Sequence, residues 1–595
     1  MHLSYLSIRN FRNFSELDLK LTPTTVIVGE NKVGKSNLIY ALRLVLDPSL
    51  PDSARRLRAE DFWDGLGQPF AGNKIEVSVE ISDFEKDKKT QAVLCDCLIS
   101  KNPMVAKLTY LFRPRKGLTT KAATEKDYEF VIYGGGDEKH QVGSSIRQDI
   151  SLILLPALRD AEAELQIWRR SPLRPLLERL EIDDDRIKEI LKQLENATEK
   201  LLREKPMEEL AKSITNQIVE MVGEFHGIDT HLGFASTRPD QLLKSVRLFI
   251  DGERSRSLSE ASLGTANVLY LALLLQELRN QEEKNERVKT IIGIEEPEAH
   301  LHPHVQRLVF RYFLGKNTPL IVTTHSPHIA SVTPLKSITL LRGTADQGSK
   351  AFTINQLGLA DIEIADLQRY LDVTRAEVLF AKGVILVEGP AELFLIPAFA
   401  ESMNHNLDRL GITVCSVHGT DFLPYWKVLS QKGLNIPHIV VTDGDPRNIN
   451  GRIRVAGLSR GCRLLDSHPE LKEKVKESLS GDDFGRARKL LTKANIFVGE
   501  TTLEADLLES FSDSIIETYE ELNISEKARE KFEAAIERAK KQKANGIEEI
   551  LSRIVGIGKG RFAQRLADKV KGGEPPQYLK AAINRIVSLV KTENA

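Results

Sequence analysis

The sequence contains few of the residues on which disulfide-bonded and zinc-binding proteins depend. It has 4 cysteines, 3 tryptophans and 5 methionines in 595 residues, and aromatic residues make up 6% of the chain. Cys95 and Cys97 form a C-x-C pair without a second such pair, which disfavours a structural zinc site. So few cysteines are typical of a protein from a reducing compartment.

Long apolar runs are also missing. No stretch reaches the roughly 18 residues that a membrane-spanning helix needs, and the most apolar candidate, Val268 to Leu275, fits a buried helix. The first residues, from Met1 to Tyr5, lack the basic flank and apolar segment of a signal peptide. We therefore expect a cytoplasmic protein that does not act at a membrane.

A strong net charge is the third missing feature. The formal net charge is −1, so the molecule as a whole is not a general binder of polyanions. The charge is nevertheless uneven, because the segment from Ser525 to Ala595 contains more basic than acidic residues. This surplus has two interpretations, a solvated helical face or a surface that contacts the phosphate backbone of a nucleic acid. The chain length predicts two to four domains.

A phosphate-binding loop follows the first predicted strands. Residues 3–21 alternate as two antiparallel strands, and a short buried strand at 26–28 leads into the segment GENKVGKSN and then an apolar helix. This is the G-x4-G-K-S motif in its strand, loop and helix context, in which backbone N–H groups, a lysine and a hydroxyl hold phosphates and Mg²⁺. Its candidate residues are Gly29, Asn31, Gly34, Lys35, Ser36 and Asn37.

Three further segments complete a nucleotide site. A Ser-x-Gly-Thr turn, with Ser262, Gly264 and Thr265, precedes a predicted helix and favours an anion at its N-terminus. A buried strand ends in Glu295 and Glu296, of which the first suits Mg²⁺ and the second can polarise an attacking water. Another strand ends at His325.

The order of these four motifs resembles that of the ABC-type ATPases of the recombination and chromosome-maintenance group, over residues 1 to about 345. The resemblance implies that Ser262 to Thr265 is the signature turn and that His325 is the switch histidine. It also implies ATP as cofactor and a homodimer, because in that family the signature of one subunit caps ATP on its partner. Glu295 stands where that family usually has aspartate, and no glutamine is assigned to the Q loop.

Acidic residues follow the strands of the second half of the chain. Glu388 ends a buried strand, Asp443 and Asp445 end another, and Glu504 and Asp506 follow a third. Strands separated by helical segments predict a parallel sheet, at whose carboxyl edge ligands gather. We expect Glu388, Asp443 and Asp445 to converge there. A second cluster would consist of Glu392, Glu504 and Asp506, although the last two also fit solvated strand ends or helix caps.

Such a group of carboxylates predicts a divalent-cation site. Like charges in one cleft repel each other unless cations neutralise them, and ligands that are all oxygen favour Mg²⁺, Mn²⁺ or Ca²⁺ over zinc. Two such ions about 4 Å apart can activate water and stabilise the leaving oxygen in phosphodiester cleavage. We expect Mg²⁺ or Mn²⁺ to serve catalysis, with Ca²⁺ as a structural or inhibitory occupant.

The acidic pattern is similar to the Toprim domain, and its fusion to an ABC ATPase resembles the OLD family of nucleases. The segments 156–160 and 375–392 strengthen this resemblance, which covers nearly the full chain. It implies a metal-dependent DNA endonuclease that nicks or cleaves, often in phage defence, with DNA as partner; exonuclease activity and a helicase partner are compatible with it. It also implies that Lys559, in a Gly-rich segment, stabilises the transition-state phosphate, although the residues alone also fit a helix start with a solvated lysine.

The predicted architecture is therefore an α/β chain with several parts. An ABC-type ATPase domain contains an inserted helical arm that is either a dimerisation element or an ordinary helical subdomain, and a Toprim-like parallel α/β domain and a helical C-terminal region follow. The boundaries are 1–165 and 229–370 for the ATPase domain, 166–228 for the helical insertion, 378–512 for Toprim and 513–595 for the C-terminal region.

Two other functions compete with the nuclease. A Toprim enzyme of the topoisomerase or primase type is the first, but beyond residue 380 only Tyr425, Tyr519 and Tyr578 are available as a topoisomerase nucleophile, and none has a recognisable setting. The zinc module of a bacterial primase is missing as well. The second is an ATP-gated scaffold that only binds nucleic acid, which the intact acidic set disfavours.

Overall fold

The computed structural model describes residues 1–118, 122–155, 171–180, 183–222, 246–250, 256–257, 260–283, 289–316, 318–344, 348–370, 376–449, 452–522, 525–541 and 547–593, and the single residues 165, 167, 168, 232 and 244. The predicted segment 156–160, Phe225 at the end of the predicted arm and Arg375 lie outside these residues.

The strands in chain order are β1 His2–Phe11, β2 Phe14–Lys20, β3 Thr24–Gly29, β4 Ile75–Ser82, β5 Leu98–Lys101, β6 Met104–Pro114, β7 Tyr128–Gly134, β8 Ile150–Leu155, β9 Phe249–Ile250, β10 Arg256–Ser257, β11 Lys289–Glu295, β12 Leu320–Thr324, β13 Ile338–Thr344, β14 Gly348–Thr353, β15 Gly383–Val387, β16 Ile412–Ser416, β17 His438–Thr442, β18 Pro446–Ile449, β19 Arg452–Val455 and β20 Ile496–Val498.

The α-helices are α1 Lys35–Leu46, α2 Asp52–Arg55, α3 Lys88–Leu94, α4 Ser144–Asp149, α5 Leu173–Glu178, α6 Asp184–Leu202, α7 Lys205–Val222, α8 Leu263–Glu283, α9 Pro303–Leu314, α10 Pro327–Val332, α11 Asp361–Tyr370, α12 Pro390–Ser402, α13 Leu423–Leu429, α14 Ala456–Arg463, α15 Pro469–Ser480, α16 Phe484–Lys493, α17 Leu503–Asp506, α18 Leu508–Leu522, α19 Glu526–Lys541, α20 Ile547–Ile557, α21 Lys559–Lys569 and α22 Gln577–Glu593.

The chain divides into two compact units. The larger one comprises Met1–Leu154, Lys289–Glu298 and Gln306–Ala595, and the smaller one comprises Leu155–Val288 and Ala299–Val305. The smaller unit contains the helices α5 to α8 and the short β9–β10 ribbon. Two long amphipathic helices, α6 and α7, fall within the predicted helical insertion.

A 12-stranded mixed sheet is the largest sheet among the described residues. Along most of this sheet the strand order is β5-β6-β4-β1-β2-β14-β13-β3-β12-β11-β8, with β7 attached to β6. The strands β13, β3, β12 and β11 run parallel, so their carboxyl ends lie at one edge. The register sets Thr323 beside Glu295 and Thr324 beside Val28. The ends of three strands that carry predicted nucleotide-site residues are therefore neighbours.

A separate, smaller sheet has the order β16-β15-β17-β20 and is fully parallel. This confirms the parallel α/β arrangement that the sequence predicts. The buried strand residues pack into one core with the C-terminal helices, in which Phe399, Phe511 and Phe562 take part. At Gly383 an added Cβ would lie 2.5 Å from Val590, so α22 packs tightly on β15. This packing holds α22 against the start of β15.

Candidate nucleotide and acidic sites

The phosphate loop joins β3 to α1, as the motif predicts. Gly34 has a φ of 95° and an added Cβ there would meet Asn13 at 3.0 Å, so only glycine fits without strain. Asn31 and Ser36 are exposed at the loop, and the side chain of Asn37 is held by Asn13 and accepts from Arg12 Nη1 at 2.8 Å. The loop is thus braced from the β1–β2 hairpin.

Lys35 is buried and turned inward. Its Nζ donates to the carbonyl oxygens of Gly29 and Glu30, both at 2.9 Å, and to His325 Nδ1 at 3.2 Å. Burial lowers the Lys35 pKa to about 8, against the opposing effect of nearby carboxylates of which Glu296 is the largest. Burial therefore disfavours the charged form of this lysine, and an anionic ligand would favour it.

The two acids at the end of β11, Glu295 and Glu296, lie at the same edge of the sheet as the phosphate loop. His325 Nε2 lies 3.2 Å from Glu296 Oε1, and burial lowers the His325 pKa. Glu296 has a φ of 45°, a strained backbone that functional sites often contain. Burial raises the Glu295 pKa, while a hydrogen bond from Ser36 opposes that shift. The structure thus brings together Lys35, Ser36, Glu295, Glu296 and His325.

Glu298 is a residue of this site to which sequence reasoning gave no role. Its Oε1 accepts from the Thr324 hydroxyl at 2.9 Å and from the His325 backbone N–H at 2.6 Å. Burial raises its pKa, and these two hydrogen bonds oppose the rise. Glu298 therefore fixes the backbone that carries His325. Its place in the run Glu-Pro-Glu at 296–298 was the available signal.

The Ser-x-Gly-Thr turn lies in the smaller unit. Ser262 precedes α8, its hydroxyl accepts from the Thr265 backbone N–H at 3.2 Å, and it pairs with the Thr265 hydroxyl at 2.9 Å. An added Cβ at Gly264 would lie 2.6 Å from the carbonyl oxygen of His300, so glycine permits this close approach. The turn is a capped helix N-terminus, as predicted, with an exposed polar end.

The acidic site lies at the carboxyl edge of the smaller sheet. Glu388 follows β15 and Asp443 follows β17, which are adjacent strands. Glu388 Oε1 accepts from the Asp443 backbone N–H at 3.0 Å and from the Thr442 hydroxyl. Asp443 Oδ1 in turn accepts from Leu503 N–H at 3.0 Å, at the start of α17. The predicted convergence is thus observed for these two acids.

Asp443 is surrounded by the other carboxylates of the site. Burial, together with the repulsion of four nearby carboxylates, raises its pKa to about 9. In order of decreasing effect they are Glu388, Glu392, Glu504 and Asp445. The two predicted clusters are therefore one, because Asp443 is within electrostatic reach of members of both.

Arg460 holds the acidic cluster together, and sequence reasoning missed it. Its Nη2 donates to Glu388 Oε1 at 2.9 Å and to the Asp443 carbonyl oxygen at 2.7 Å. Both Nη atoms donate to Asp445 Oδ2 at 2.9 Å, and Nε donates to the Thr442 hydroxyl at 3.1 Å. The side chain comes from α14 and is buried. No sequence motif marks it, because its position depends on how α14 packs.

A second cation, Lys559, also contacts the cluster. Lys559, the first residue of α21, lies with its Nζ 3.0 Å from Glu504 Oε1. Glu392 and Glu504 are both buried, and burial raises the Glu392 pKa to about 7 with added repulsion from Glu388 and Glu504. Lys559 thus begins a helix and is paired with an acid of the cluster, and its role at a phosphate stays a prediction.

Asp506 has a different role from the rest. Its Oδ2 accepts from Glu500 N–H at 3.0 Å, and its Oδ1 accepts from the N–H of Thr501 at 2.9 Å and from the Thr501 hydroxyl. Both oxygens therefore organise the loop after β20. This contact pattern favours the capping interpretation for Asp506 and leaves a metal role a prediction.

The donor chemistry of the cluster fits a hard divalent cation. Five carboxylates, from Glu388, Glu392, Asp443, Asp445 and Glu504, face two cations, Arg460 and Lys559, so negative charge is in excess. All the donors are oxygen, which suits Mg²⁺ or Mn²⁺. Within the described part of the chain, no three acidic, histidine or cysteine side chains are already gathered in a metal-holding arrangement. Arg460 and Lys559 hold oxygen atoms that such an ion would use.

No helix among the described residues is both long and apolar enough to cross a bilayer.

Comparison with known proteins assigns a domain family to each half of the chain. A family model for the AAA ATPase domain matches residues 1–156 and 146–330, and a model for the Overcoming lysogenization defect protein-like TOPRIM domain matches residues 379–445. The C-terminal region of the Burkholderia pseudomallei OLD protein is 39% identical, covering 36% of this chain and 99% of its own, with a TM-score of 0.30.

Curated relatives match over most of their length. The OLD nuclease of Thermus scotoductus is 26% identical over 524 residues, which is 85% of this chain and 91% of the relative. The endonuclease GajA of Bacillus cereus is 23% identical over 565 residues, 87% of this chain and 92% of the relative. With an AAA ATPase domain over more than half of its length and an OLD-like Toprim domain behind it, the chain belongs to the OLD family.

Proposed function

We propose that this protein is a DNA endonuclease that depends on a divalent metal ion and is controlled by ATP. The observation that carries the proposal is the set of four carboxylates around Asp443, one of which, Glu504, is paired with Lys559. The relatives named OLD nuclease and endonuclease GajA support the same reaction class. The Toprim site would cut the phosphodiester and the ATPase site would regulate access or assembly.

Each group in the acidic site has a role in this proposal. A divalent ion bound there would activate water and neutralise charge on the scissile phosphate. Glu388, Asp443 and Asp445 would hold it, with Glu392 and Glu504 as further ligands. Lys559 offers a half-buried cation to the phosphate in the transition state. Arg460 keeps Glu388 and Asp445 in place through its two ion pairs.

Cleavage of supercoiled plasmid tests the proposal. Purified protein should nick or linearise the plasmid with Mg²⁺ or Mn²⁺, each tried with and without ATP, and should fail in EDTA. Asp443→Ala should abolish cleavage. Glu477→Ala removes an exposed carboxylate on α15 and should cleave normally. Full activity of Asp443→Ala would show that another site, or a contaminating nuclease, cuts the DNA.

A topoisomerase or primase activity is less well supported. Tyr425 and Tyr519 are buried and cannot reach a DNA strand. Tyr578 lies near the acids, and burial together with Asp506 and Asp443 raises its pKa well above the ordinary value, which opposes a phenolate nucleophile. A covalent protein–DNA adduct trapped by denaturant during cleavage would favour the topoisomerase instead.

We also propose that the protein works as a homodimer through the helical arm. Apolar side chains on α6 and α7 are exposed, among them Ile190, Leu201 and Met221, and isolated amphipathic helices gain stability by burying such a face. A second copy of the chain would cover them. Replacing residues 184–222 by a short Gly-Ser linker should lower the mass measured by light scattering, whereas an unchanged mass would exclude the arm as the dimer contact.

A role in phage defence is the proposed biological context. Bacteria that express the protein should form fewer phage plaques than bacteria that express Asp443→Ala. Equal plaque numbers across a broad phage panel would favour a role in DNA processing.

A further inference from the structure

A two-stranded ribbon stands directly beside the acidic site. The strands β18 and β19 pair antiparallel, with Arg447 opposite Arg454 and Ile449 opposite Arg452. Because side chains alternate between the two faces of a strand, Arg447, Arg452 and Arg454 lie on one face of the ribbon. All three are exposed. The ribbon thus presents a basic face to solvent.

Repulsion between the arginines on this face destabilises the ribbon when no ligand is bound. Like charges directly opposite each other on an antiparallel pair are destabilising, and Arg447 and Arg454 occupy such positions. Within the described residues no acidic side chain forms an ion pair with any of the three arginines. Other cations of this domain, such as Lys472 and Lys476, do have acidic partners. A ligand with negative charge would remove the repulsion.

The base of the ribbon is fixed to the acidic site. Asp445 immediately precedes β18, and Ala456 N–H donates to the Asp445 carbonyl oxygen at 3.3 Å. Gly457 N–H donates to the Gly444 carbonyl oxygen at 2.9 Å. Four residues of strand span about 13 Å, so all three arginines lie within one ribbon length of Asp445. Asp445 itself is bound to Arg460, which ties the ribbon to the cluster.

We propose that the β18–β19 ribbon contacts the phosphate backbone of the DNA substrate through Arg447, Arg452 and Arg454 and so holds the scissile strand over the acidic cluster. The inference rests on the proposed nuclease function and adds to it the surface that binds the substrate. Arginine forms paired hydrogen bonds with phosphate oxygens, which suits backbone contact without reading of the bases. The excess of carboxylates in the cluster repels DNA, so a neighbouring basic surface is needed to offset that repulsion.

The salt dependence of DNA binding tests this ribbon. Affinity of the full-length protein for a labelled duplex is measured in EDTA by fluorescence anisotropy over a series of NaCl concentrations. The variant with Arg447→Gln, Arg452→Gln and Arg454→Gln should bind more weakly, and its slope of log affinity against log salt should be smaller by about 3, one for each lost phosphate contact. Two duplexes of unrelated sequence should show the same loss.

A matched control removes equal charge elsewhere. Lys474, Lys527 and Lys531 are exposed, and within the described residues they have no ion pair, so changing all three to glutamine should leave the slope unchanged. Lys527 and Lys531 belong to the basic C-terminal segment, so a loss confined to this control would assign the contact to that segment and overturn the proposal. Restoring charge with lysine at the three ribbon positions should recover most of the slope.

The outcomes separate the two proposals. If the wild-type protein neither binds nor cuts DNA, the proposed function fails. If it does both and the ribbon variant, folded by circular dichroism, keeps the wild-type slope, only the ribbon assignment fails.

Discussion

The nucleotide site and the acidic site solve opposite electrostatic problems. At the phosphate loop a buried cation, Lys35, is held by neutral carbonyl oxygens and a histidine, and its pKa is lowered to about 8. At the acidic site one carboxylate, Asp443, faces four others, and its pKa is raised to about 9. In each case burial disfavours the charged form of the group. A ligand of opposite sign, an anion at the first site and a cation at the second, would favour that form.

The strongest test of this comparison is to disable each site in turn and to measure the activity or binding of both sites. Lys35→Ala removes the buried cation and should lower ATP turnover about 100-fold or more, because a positioned donor to the phosphates is lost. Binding of Mn²⁺ to the acidic site, measured by calorimetry, should stay unchanged. Asp443→Ala should give the reverse pattern. Loss of both properties in either variant would show that the two sites are not separable.

Arg460 gives the next largest effect. Arg460→Met leaves Glu388 and Asp445 without their cation, and it should lower the free energy of unfolding in EDTA by about 3 kcal/mol, since breaking a buried ion pair leaves an unpaired charge. Mg²⁺ should recover much of this loss by replacing the positive charge. Urea unfolding with and without Mg²⁺ measures both quantities.

Arg488 supplies the control for that experiment. It donates to the neutral carbonyl oxygen of Gly499 at 3.1 Å, so Arg488→Met removes a hydrogen bond without leaving a carboxylate bare. We expect a loss of about 1 kcal/mol that Mg²⁺ does not recover. Equal recovery in both variants would mean that Mg²⁺ stabilises the protein without replacing Arg460.

The two sites also differ in how much of them the sequence predicts. The phosphate loop is one contiguous segment whose fold follows from local rules, so the motif alone predicts the arrangement of residues 29–37. The acidic site takes residues from Glu388 to Lys559. The strand ends predict Glu388 and Asp443, because parallel strands carry their carboxyl ends to one edge. Arg460 follows no such rule, since it reaches the site from a helix whose packing the sequence does not state.

The sequence also does not predict the β18–β19 ribbon or the contacts of Asp506, because both depend on local loop conformation. The ribbon β18–β19 follows Asp445 but has no long alternating pattern, and the dipeptide Asn450-Gly451 between the two strands is the only local sign of it in the sequence. Asp506 matches an acidic motif, yet its contacts with Glu500 and Thr501 depend on the loop conformation. The domain boundaries and the role of each site residue stay predictions.

Gly457 tests how closely the acidic site depends on backbone packing. An added Cβ would lie 2.0 Å from the Asp443 carbonyl oxygen, which is backbone and cannot turn aside. Gly457→Ala should therefore cost about 1–3 kcal/mol of stability and reduce cleavage by displacing Asp443. Gly556, on α20, has open space around it, so Gly556→Ala should be neutral or slightly stabilising. Thermal unfolding compares the two, and an equal Tm would contradict the predicted clash.

Substitution of Glu298 has the smallest expected effect, and it tests whether the nucleotide site depends on the hydrogen bonds of this residue. Glu298→Gln keeps an oxygen that accepts from the Thr324 hydroxyl and the His325 backbone, so ATP turnover should stay within about threefold of wild type. Glu298→Ala leaves both donors unpaired and should lower turnover about tenfold. If the glutamine variant lost as much as the alanine variant, the negative charge of Glu298 would be what the site needs. Glu298 would then act, like Glu296, through its negative charge near Lys35, and its two hydrogen bonds would matter less.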